Sequence, residues 1–269
     1  MAYNIFCPLP PLSEFLQLPF DDLKRFAPRL DLQRFCELVE YLGDKGHLLT
    51  YPFFESFTIT QTYEGKFETI KNDIFGFIQF PEKYLEQFEF CGGLNIIADS
   101  LWGIPTNMDK IKKLPHAPFS LYLKISRRES FQNKFKCFQH FDAIFLEIDQ
   151  LNNHSICFSE LLDLTKNTSA LSLSINKSPG DIPNYFAEQL LGWDRPNELE
   201  DFALSGAPEN FNLQALCHFV KYKCKSPERV FIDFRVFNLQ SFKKRLDAFK
   251  NSINGEDLNF VIYVNGRPF

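Results

Sequence analysis

The chain has 269 residues, of which 45% are hydrophobic and 23% charged, and its formal net charge is −5 at pH 7. These values fit a globular chain with one large domain, or with a small module joined to a larger one. The acidic balance gives no support to nucleic-acid binding, which requires a basic face for the phosphate backbone. Phenylalanine is unusually frequent, with 32 residues, so we expect an aromatic-rich core.

The first patterned segment begins at Leu18 and reads LPFDDLKRFAPRLDLQRFCELV. Pro19 suits the start of a helix, and the aspartates at positions 21 and 22 suit its first turn, where carboxylates interact favourably with the helix dipole. Pro28 is expected to end this helix, Asp31 to cap a second one and Gly43 to close it. Two such short helices cannot bury both apolar faces alone. They must therefore pack on the rest of the chain or on a partner.

Short apolar runs bounded by polar residues recur beyond residue 90 and predict strands. They are LNIIADS at Leu94, FSLYLKIS at Phe119, AIFLEID at Ala143, ALSLSI at Ala170, LEDFAL at Leu199, RVFIDF at Arg229 and NFVIYV at Asn259. Their centres lie 23 to 30 residues apart, a period typical of repeat architectures. FTIT at Phe57 and IFGFIQF at Ile74 are further strand candidates in a less regular region.

Between these runs lie segments with apolar residues at helical spacing. They begin at residues 129, 182, 212 and 239 and read ESFQNKFKCFQHF, IPNYFAEQLLGW, NLQALCHFVKYK and LQSFKKRLDAFKNSI. Strands that alternate with helices predict an α/β fold with a parallel sheet and helices on at least one face. A leucine-rich-repeat-like solenoid, a (β/α)8-like barrel and a doubly wound sheet all fit this alternation.

The residues at the strand ends favour the solenoid. Barrels and doubly wound enzymes gather functional groups at the carboxyl ends of their strands. Here those ends carry a mixed set, Asp99, Asp149, Asn176, Ser205 and Arg235. We therefore predict a short helical segment over residues 1–47, followed by an irregular leucine-rich-repeat-like parallel β/α solenoid over residues 48–269. A (β/α)8-like barrel is the alternative.

Signatures of catalysis and of metal binding are missing from the sequence. It contains no P-loop, no dinucleotide-binding glycine pattern, no nucleophile elbow and no His-Glu-x-x-His. The seven cysteines and five histidines show no zinc-ligand spacing. We predict no catalytic residue, no cofactor and no metal. The alternative hypothesis is a hydrolase on the barrel that uses the carboxylates Asp99, Glu147, Asp149 and Asp233.

The amino-terminal stretch MAYNIFCPLPPL has no basic region and is interrupted by prolines, so we do not expect a signal peptide. No apolar run approaches membrane-spanning length. Isolated cysteines inside apolar segments suit a reducing compartment. We therefore expect a cytoplasmic chain that contacts neither membrane nor nucleic acid.

The amino-terminal pattern resembles an F-box. The residues that match this motif in order are Leu18, Pro19, Asp22, Leu23, Phe26, Leu30, Asp31 and Leu32. The match departs at the end, where LVEYLGDKG lacks the usual tryptophan. With the repeats, the chain resembles the F-box/leucine-rich-repeat substrate adaptors of cullin ubiquitin ligases. The resemblance implies that a Skp1-type adaptor contacts Leu18, Pro19, Leu23, Phe26, Leu30 and Leu32, although apolar helix faces also fit core packing.

The divergent, phenylalanine-rich character of the whole chain is similar to expanded nematode families of this type, among them the PALS family. Members of that family regulate transcriptional responses to intracellular pathogens and proteotoxic stress, in some cases as antagonistic paralogous pairs. This resemblance implies a non-enzymatic protein-interaction regulator in innate immunity and stress. Its expected partner is a paralogous family member, a Skp1–cullin adaptor, or both.

Overall fold

The apolar runs of the sequence form the strands of the structure, a computed structural model. It describes residues 13, 16–30, 32–53, 57–61, 67–70, 78–80, 87–90, 93–98, 104, 108–113, 117–125, 135–148, 158–175, 182–252 and 260–269. The strands are β1 (Tyr51–Phe53), β2 (Phe57–Gln61), β3 (Phe67–Ile70), β4 (Ile78–Phe80), β5 (Phe88–Phe90), β6 (Leu94–Ala98), β7 (Lys112–Lys113), β8 (Phe119–Ile125), β9 (Ala143–Ile148), β10 (Ala170–Ile175), β11 (Asp201–Pro208), β12 (Val230–Arg235), β13 (Val261–Val264) and β14 (Arg267–Pro268).

Helices alternate with the strands of the carboxyl-terminal half. The α-helices are α1 (Phe20–Phe26), α2 (Leu32–Leu42), α3 (Phe158–Leu164), α4 (Phe186–Leu191), α5 (Leu213–Lys223) and α6 (Leu239–Ser252). Short 3-10 helices occupy Ala27–Arg29, Gly43–Leu48, Met108–Lys110, Phe135–His140 and Pro227–Arg229.

From β8 to β14 the strands of the main sheet follow one another in chain order, whereas β6 pairs with β2 and the antiparallel strands β3 and β4 lie beyond β2. In the part of the chain that the structure describes, eleven strands pair in the order β14-β13-β12-β11-β10-β9-β8-β6-β2-β3-β4. The strands from β2 to β13 in this order are parallel, and β3, β4 and β14 extend the edges by antiparallel pairing. A second sheet, β1-β5-β7, is also parallel. The chain is thus α/β with a mostly parallel sheet.

The sheet is open, which corrects the barrel alternative. A closed barrel would join its first and last strands, whereas no pair among the described strands joins β4 to β14. The chain-order pairing arises because each connection returns the chain beside the strand that it has just left. Parallel strands require such crossover connections.

In the part of the chain that the structure describes, helices cover one face of the sheet and leave the other uncovered. On this face, Phe202 of β11 packs on Phe219 of α5, with ring centroids 4.9 Å apart, and Phe234 of β12 packs on Phe242 of α6 at 5.0 Å. Strands β9, β10 and β12 alternate between buried and more exposed residues. A doubly wound sheet buries both faces of its strands, so this alternation also rules against that arrangement. The aromatic core expected from the composition is present.

Three of the four predicted helical segments are confirmed, as α4, α5 and α6. The segment that begins at residue 129 forms a 3-10 helix over Phe135–His140, and Phe138 within this helix and Phe141 just after it are buried. Helix α3 was not predicted. In α6, Phe242 and Leu246 are buried as expected, whereas Leu239 is 53% exposed and does not belong to the buried face.

Arg195 links the segment that precedes β11 to the segment that precedes β10. Its Nη2 atom donates to the carbonyl oxygen of Thr168 at 2.6 Å, and its Nε atom donates to that of Asn197 at 2.6 Å. The guanidinium lies 4.4 Å from the ring centroid of Trp193, whose Nε1 atom donates to the carbonyl oxygen of Leu162 at 2.7 Å. Burial lowers the pKa of Arg195 to about 10, which leaves the group charged at neutral pH.

The amino-terminal helices pack on the rest of the chain. Pro19 precedes α1, as predicted, and Gly43 follows α2 with φ +52°. Phe35 of α2 is fully buried and belongs to one apolar core cluster with residues of the sheet. Asp31, the predicted cap, lies outside the described residues. The division of the chain at residues 47 and 48 remains a prediction.

Candidate interaction surface

The uncovered face of the main sheet, termed here the open face, presents apolar side chains to solvent. Register places Ile97, Tyr122, Phe145, Ser172, Ala203, Phe231 and Val261 in one row across β6 to β13. Ile97 is 41% exposed, Tyr122 42%, Phe145 36% and Phe231 40%. Large apolar side chains that share one surface and stay this exposed are candidates for contact with a partner.

Tyr122 and Phe145 form a flat aromatic plate on the open face. They are direct neighbours across β8 and β9. Their ring centroids are 4.5 Å apart and their planes differ by 3°. The strand pairing brings the two rings together, because residues opposite each other in a sheet have neighbouring Cβ atoms. Its outer surface is available for stacking or apolar contact.

A second row on the open face is polar. Lys124, Glu147, Ser174, Ser205 and Asp233 are neighbours across β8 to β12. The Lys124 Nζ atom lies 2.8 Å from Glu147 Oε1. The Ser205 Oγ atom donates to Asp233 Oδ2 at 3.3 Å. Side chains of β11 and β12 are thus coupled by a hydrogen bond, and those of β8 and β9 by an ion pair.

Of the four carboxylates of the hydrolase alternative, the two that the structure describes are not brought together. Glu147 of β9 and Asp233 of β12 stand in the same row but are separated by β10 and β11. Three strand spacings amount to about 14 Å, beyond the separation of paired catalytic carboxyl groups. Asp99 and Asp149 lie outside the described residues. Glu147 and Asp233 therefore do not form an acid–base pair.

A bulge in β11 shapes the carboxyl end of the open face. The pairing of β11 with β12 shifts register between Ser205 and Ala207. Gly206, at the bulge, has φ +95°, and the Arg235 Nε atom would lie 3.7 Å from a Cβ atom at this glycine. Arg235 therefore lies across the backbone of the neighbouring strand. Of the other predicted strand-end residues, Asn176 lies outside the described part.

The predicted F-box-like contact residues differ in accessibility. Leu23 is 2% exposed and Leu30 4% exposed, and both belong to the core cluster. Leu18 and Phe26 are half-buried, and Pro19 is exposed. The side chain of Leu32 lies outside the described part. Leu18 and Phe26 also pack against this cluster, so a partner can reach Pro19 and only the exposed parts of Leu18 and Phe26, whereas Leu23 and Leu30 hold α1 and the following 3-10 helix to the chain.

Two of the described thiols, Cys36 and Cys224, are poor nucleophiles. Burial, followed by the charges of Glu40 and Glu37, raises the pKa of Cys36 to about 12. Burial likewise raises the pKa of Cys224 to about 12, although the Arg195 charge acts in the opposite direction. Reactive cysteines have lowered pKa values and partial exposure. Among the described residues, no group of three or more His, Cys, Asp or Glu could hold a metal ion.

We expect slow alkylation of Cys36 and Cys224 in the native chain. At pH 8 their thiolate fractions are about 1,000-fold lower than those of thiols with the ordinary pKa, because the difference is three pH units. Labelling with iodoacetamide, followed by peptide mass spectrometry, should show at least a roughly 100-fold slower reaction than in urea. Equal rates in the two conditions would identify a reactive thiol and contradict the burial.

The apolar residues of the open face were not among the predicted site residues, yet a signal for them exists in the sequence. In FSLYLKIS and AIFLEID, Tyr122 and Phe145 alternate with aliphatic residues that occupy the other face.

None of the helices in the described ranges is long and apolar enough to cross a membrane. Comparisons with known proteins find no matching family model, no similar curated protein and no similar solved structure.

Proposed function

We propose that the chain is a non-enzymatic protein-interaction regulator that binds a protein on the open face of its main sheet. The observation that carries this proposal is the uncovered parallel sheet with Tyr122 and Phe145 exposed on it. Parallel sheets are almost always covered on both faces. Exposed aromatic residues that share one such face indicate a surface that is covered in a complex.

The chain-order sheet supports an irregular leucine-rich-repeat-like solenoid. Packed helices stand about 8–10 Å apart, whereas neighbouring strands are only about 4.8 Å apart. A layer of helices behind a layer of strands therefore bends the array toward the strands. The open face lies on the inner side of this bend, where it surrounds a convex partner.

The open face has the dimensions of a protein-binding surface. From β2 to β13 the parallel strands cover seven spacings, which is about 34 Å, and a six-residue strand is about 20 Å long. The product, about 700 Å², approaches the roughly 800 Å² that each partner contributes to a standard protein–protein interface. A small molecule would cover only a fraction of this area.

The amino-terminal helices form the second binding surface of the proposed regulator. Their F-box-like pattern supports docking to a Skp1-type adaptor through Leu18, Pro19 and Phe26, with Leu23 and Leu30 in a supporting role. In this arrangement the chain is a substrate adaptor of a cullin ubiquitin ligase. Its resemblance to the PALS family supports control of a transcriptional response to intracellular pathogens and proteotoxic stress, together with a paralogous partner.

Affinity purification with three variants tests this proposal. Tyr122→Asp combined with Phe145→Asp should reduce recovery of the open-face partner at least about tenfold, because a buried unpaired carboxylate costs more than about 1.4 kcal/mol. Phe26→Asp should remove the Skp1-type adaptor and retain the open-face partner. Tyr185→Asp, at a 61% exposed side chain outside the open face, is the matched control. Quantitative mass spectrometry gives the readout.

The thermal unfolding of each variant is measured as a control, so that partner recovery is compared only between variants that are folded. A partner that is retained by the Tyr122→Asp/Phe145→Asp variant would refute the open-face proposal. Recovery of a paralogue without Skp1 or cullin would reject the ligase role and leave the regulatory role in place.

A further inference from the structure

The backbone of the open face determines what kind of segment can lie on it. From β6 to β13 every strand pairs with a neighbour on each side, so its N–H and C=O groups are engaged in the ladders. An extended segment on this face would leave its own backbone groups without partners, and each such group costs free energy when buried. An α-helix satisfies its backbone internally. The sheet therefore accepts a helix on this face more readily than a strand.

Side-chain size leaves a trough between two aromatic walls. Phe145 of β9 and Phe231 of β12 are 36% and 40% exposed, and they flank Ser172 of β10 and Ala203 of β11 in the same row. The walls are three strand spacings apart, about 14 Å. The diameter of an α-helix with its side chains is about 10–12 Å. A helix parallel to the strands fits between the rings and contacts both.

The charged residues of β12, on the same side of the trough as Phe231, are a second and independent feature of this surface. Asp233 accepts hydrogen bonds from the Ser205 hydroxyl and the Gly266 amide. In the described part of the chain it has no basic partner, and Arg235, two residues along the strand, has no acidic one. Two residues of a strand cover about 6.6 Å, close to the roughly 6 Å rise of four helical residues. The wall therefore complements a basic and an acidic side chain one turn apart.

From these observations we infer that the open-face partner docks an amphipathic α-helix in the trough between Phe145 and Phe231. The helix places apolar residues on the two rings and an opposite-charge i, i+4 pair against Asp233 and Arg235. Strands about 20 Å long accommodate about 13 helical residues. This inference rests on the proposed function, because it specifies the partner of the same surface.

Site-specific photo-crosslinking of the full chain in the cells that produce it tests the inference. p-Benzoylphenylalanine replaces Phe145, Phe231 or Tyr122 in separate variants, and Tyr185 in the control. Mass spectrometry then locates the crosslinked residues of the partner. Crosslinks from Phe145 and Phe231 are expected on one segment at i, i+3, i+4 and i+7 spacing, and Tyr185 should give none on that segment. Spacing of i, i+2 and i+4 would show an extended chain and overturn the inference.

A synthetic peptide of the crosslinked segment then provides an affinity measurement by fluorescence anisotropy. Proline in its centre, or Arg235→Glu in the chain, should weaken binding at least about tenfold, since both remove features that the trough requires. Unchanged affinity with the proline peptide would also overturn the helix. An i, i+2 pattern leaves the proposed function standing, whereas the absence of crosslinks from Phe145, Phe231 and Tyr122 in a folded chain would reject both.

Discussion

Replacing Leu23 by aspartate is expected to destabilise the chain by more than about 3 kcal/mol, because the transfer of a buried leucine is worth about 1.5–3 kcal/mol and an unpaired buried carboxylate adds to it. Leu23 is 2% exposed and faces the core between α1 and the rest of the chain. The substitution cannot be tolerated by rotation of the side chain. Urea unfolding followed by circular dichroism measures the loss.

Phe26→Asp is the matched control on the same helix. Phe26 is only partly buried, so we expect a loss of about 1 kcal/mol or less. The pair of variants separates the two roles of the F-box-like pattern: Phe26 tests adaptor docking, and Leu23 tests folding. If Leu23→Asp unfolded at the same urea concentration as the unsubstituted chain, α1 would not be packed as described.

Gly206→Ala is expected to destabilise the chain by about 2–4 kcal/mol, which combines backbone strain with overpacking. Gly206 has φ +95°, a conformation that side chains with a Cβ atom rarely adopt, and a Cβ atom would lie 2.6 Å from the carbonyl oxygen of Ile175. That oxygen belongs to the neighbouring strand and cannot move without breaking the ladder. The midpoint of urea unfolding should therefore fall.

Gly43→Ala separates strain from crowding. Gly43 also has a positive φ, +52°, but nothing lies within 4 Å of the position of a Cβ atom. The expected loss is about 1 kcal/mol, the cost of the left-handed conformation alone. Equal losses at both glycines would show that β11 relaxes around the extra methyl group, and that the bulge is not a rigid part of the open face.

Strand positions were predictable because period-2 alternation is a local property. The runs at Leu94, Phe119, Ala143 and Ala170 coincide with β6, β8, β9 and β10 to within two residues at their ends. The parallel arrangement followed from the alternation with helices. Neither inference requires knowledge of distant contacts.

Features that depend on packing between elements were not predictable. The spacing of Phe138 and Phe141 fits one face of an α-helix, yet Phe138 reaches the core from a 3-10 helix and Phe141 from the residue that follows this helix. The pattern at Leu23 and Phe26 is equally apolar in sequence. Only the packing of α1 on the chain separates a buried side chain from one that a partner can reach.

The open face shows the same limit. Alternation in FSLYLKIS assigns Tyr122 and Leu121 to opposite faces, but it does not tell which face receives the helices. That choice depends on the side of the sheet on which every connection passes. Sequence therefore predicts two faces, and the fold decides which of them stays accessible.

The chain-order pairing of the sheet has a consequence for synthesis on the ribosome. Since β8 pairs with β6, β9 with β8, and so on to β13, each strand that leaves the exit tunnel finds its partner already folded. A sheet that is extended from one end during synthesis does not depend on segments that are distant in sequence. Pairing with such distant segments slows the folding of other sheets. Extension from one end also leaves one unpaired strand edge exposed at every stage, so nascent chains that stall between two strands should be those that chaperones retain.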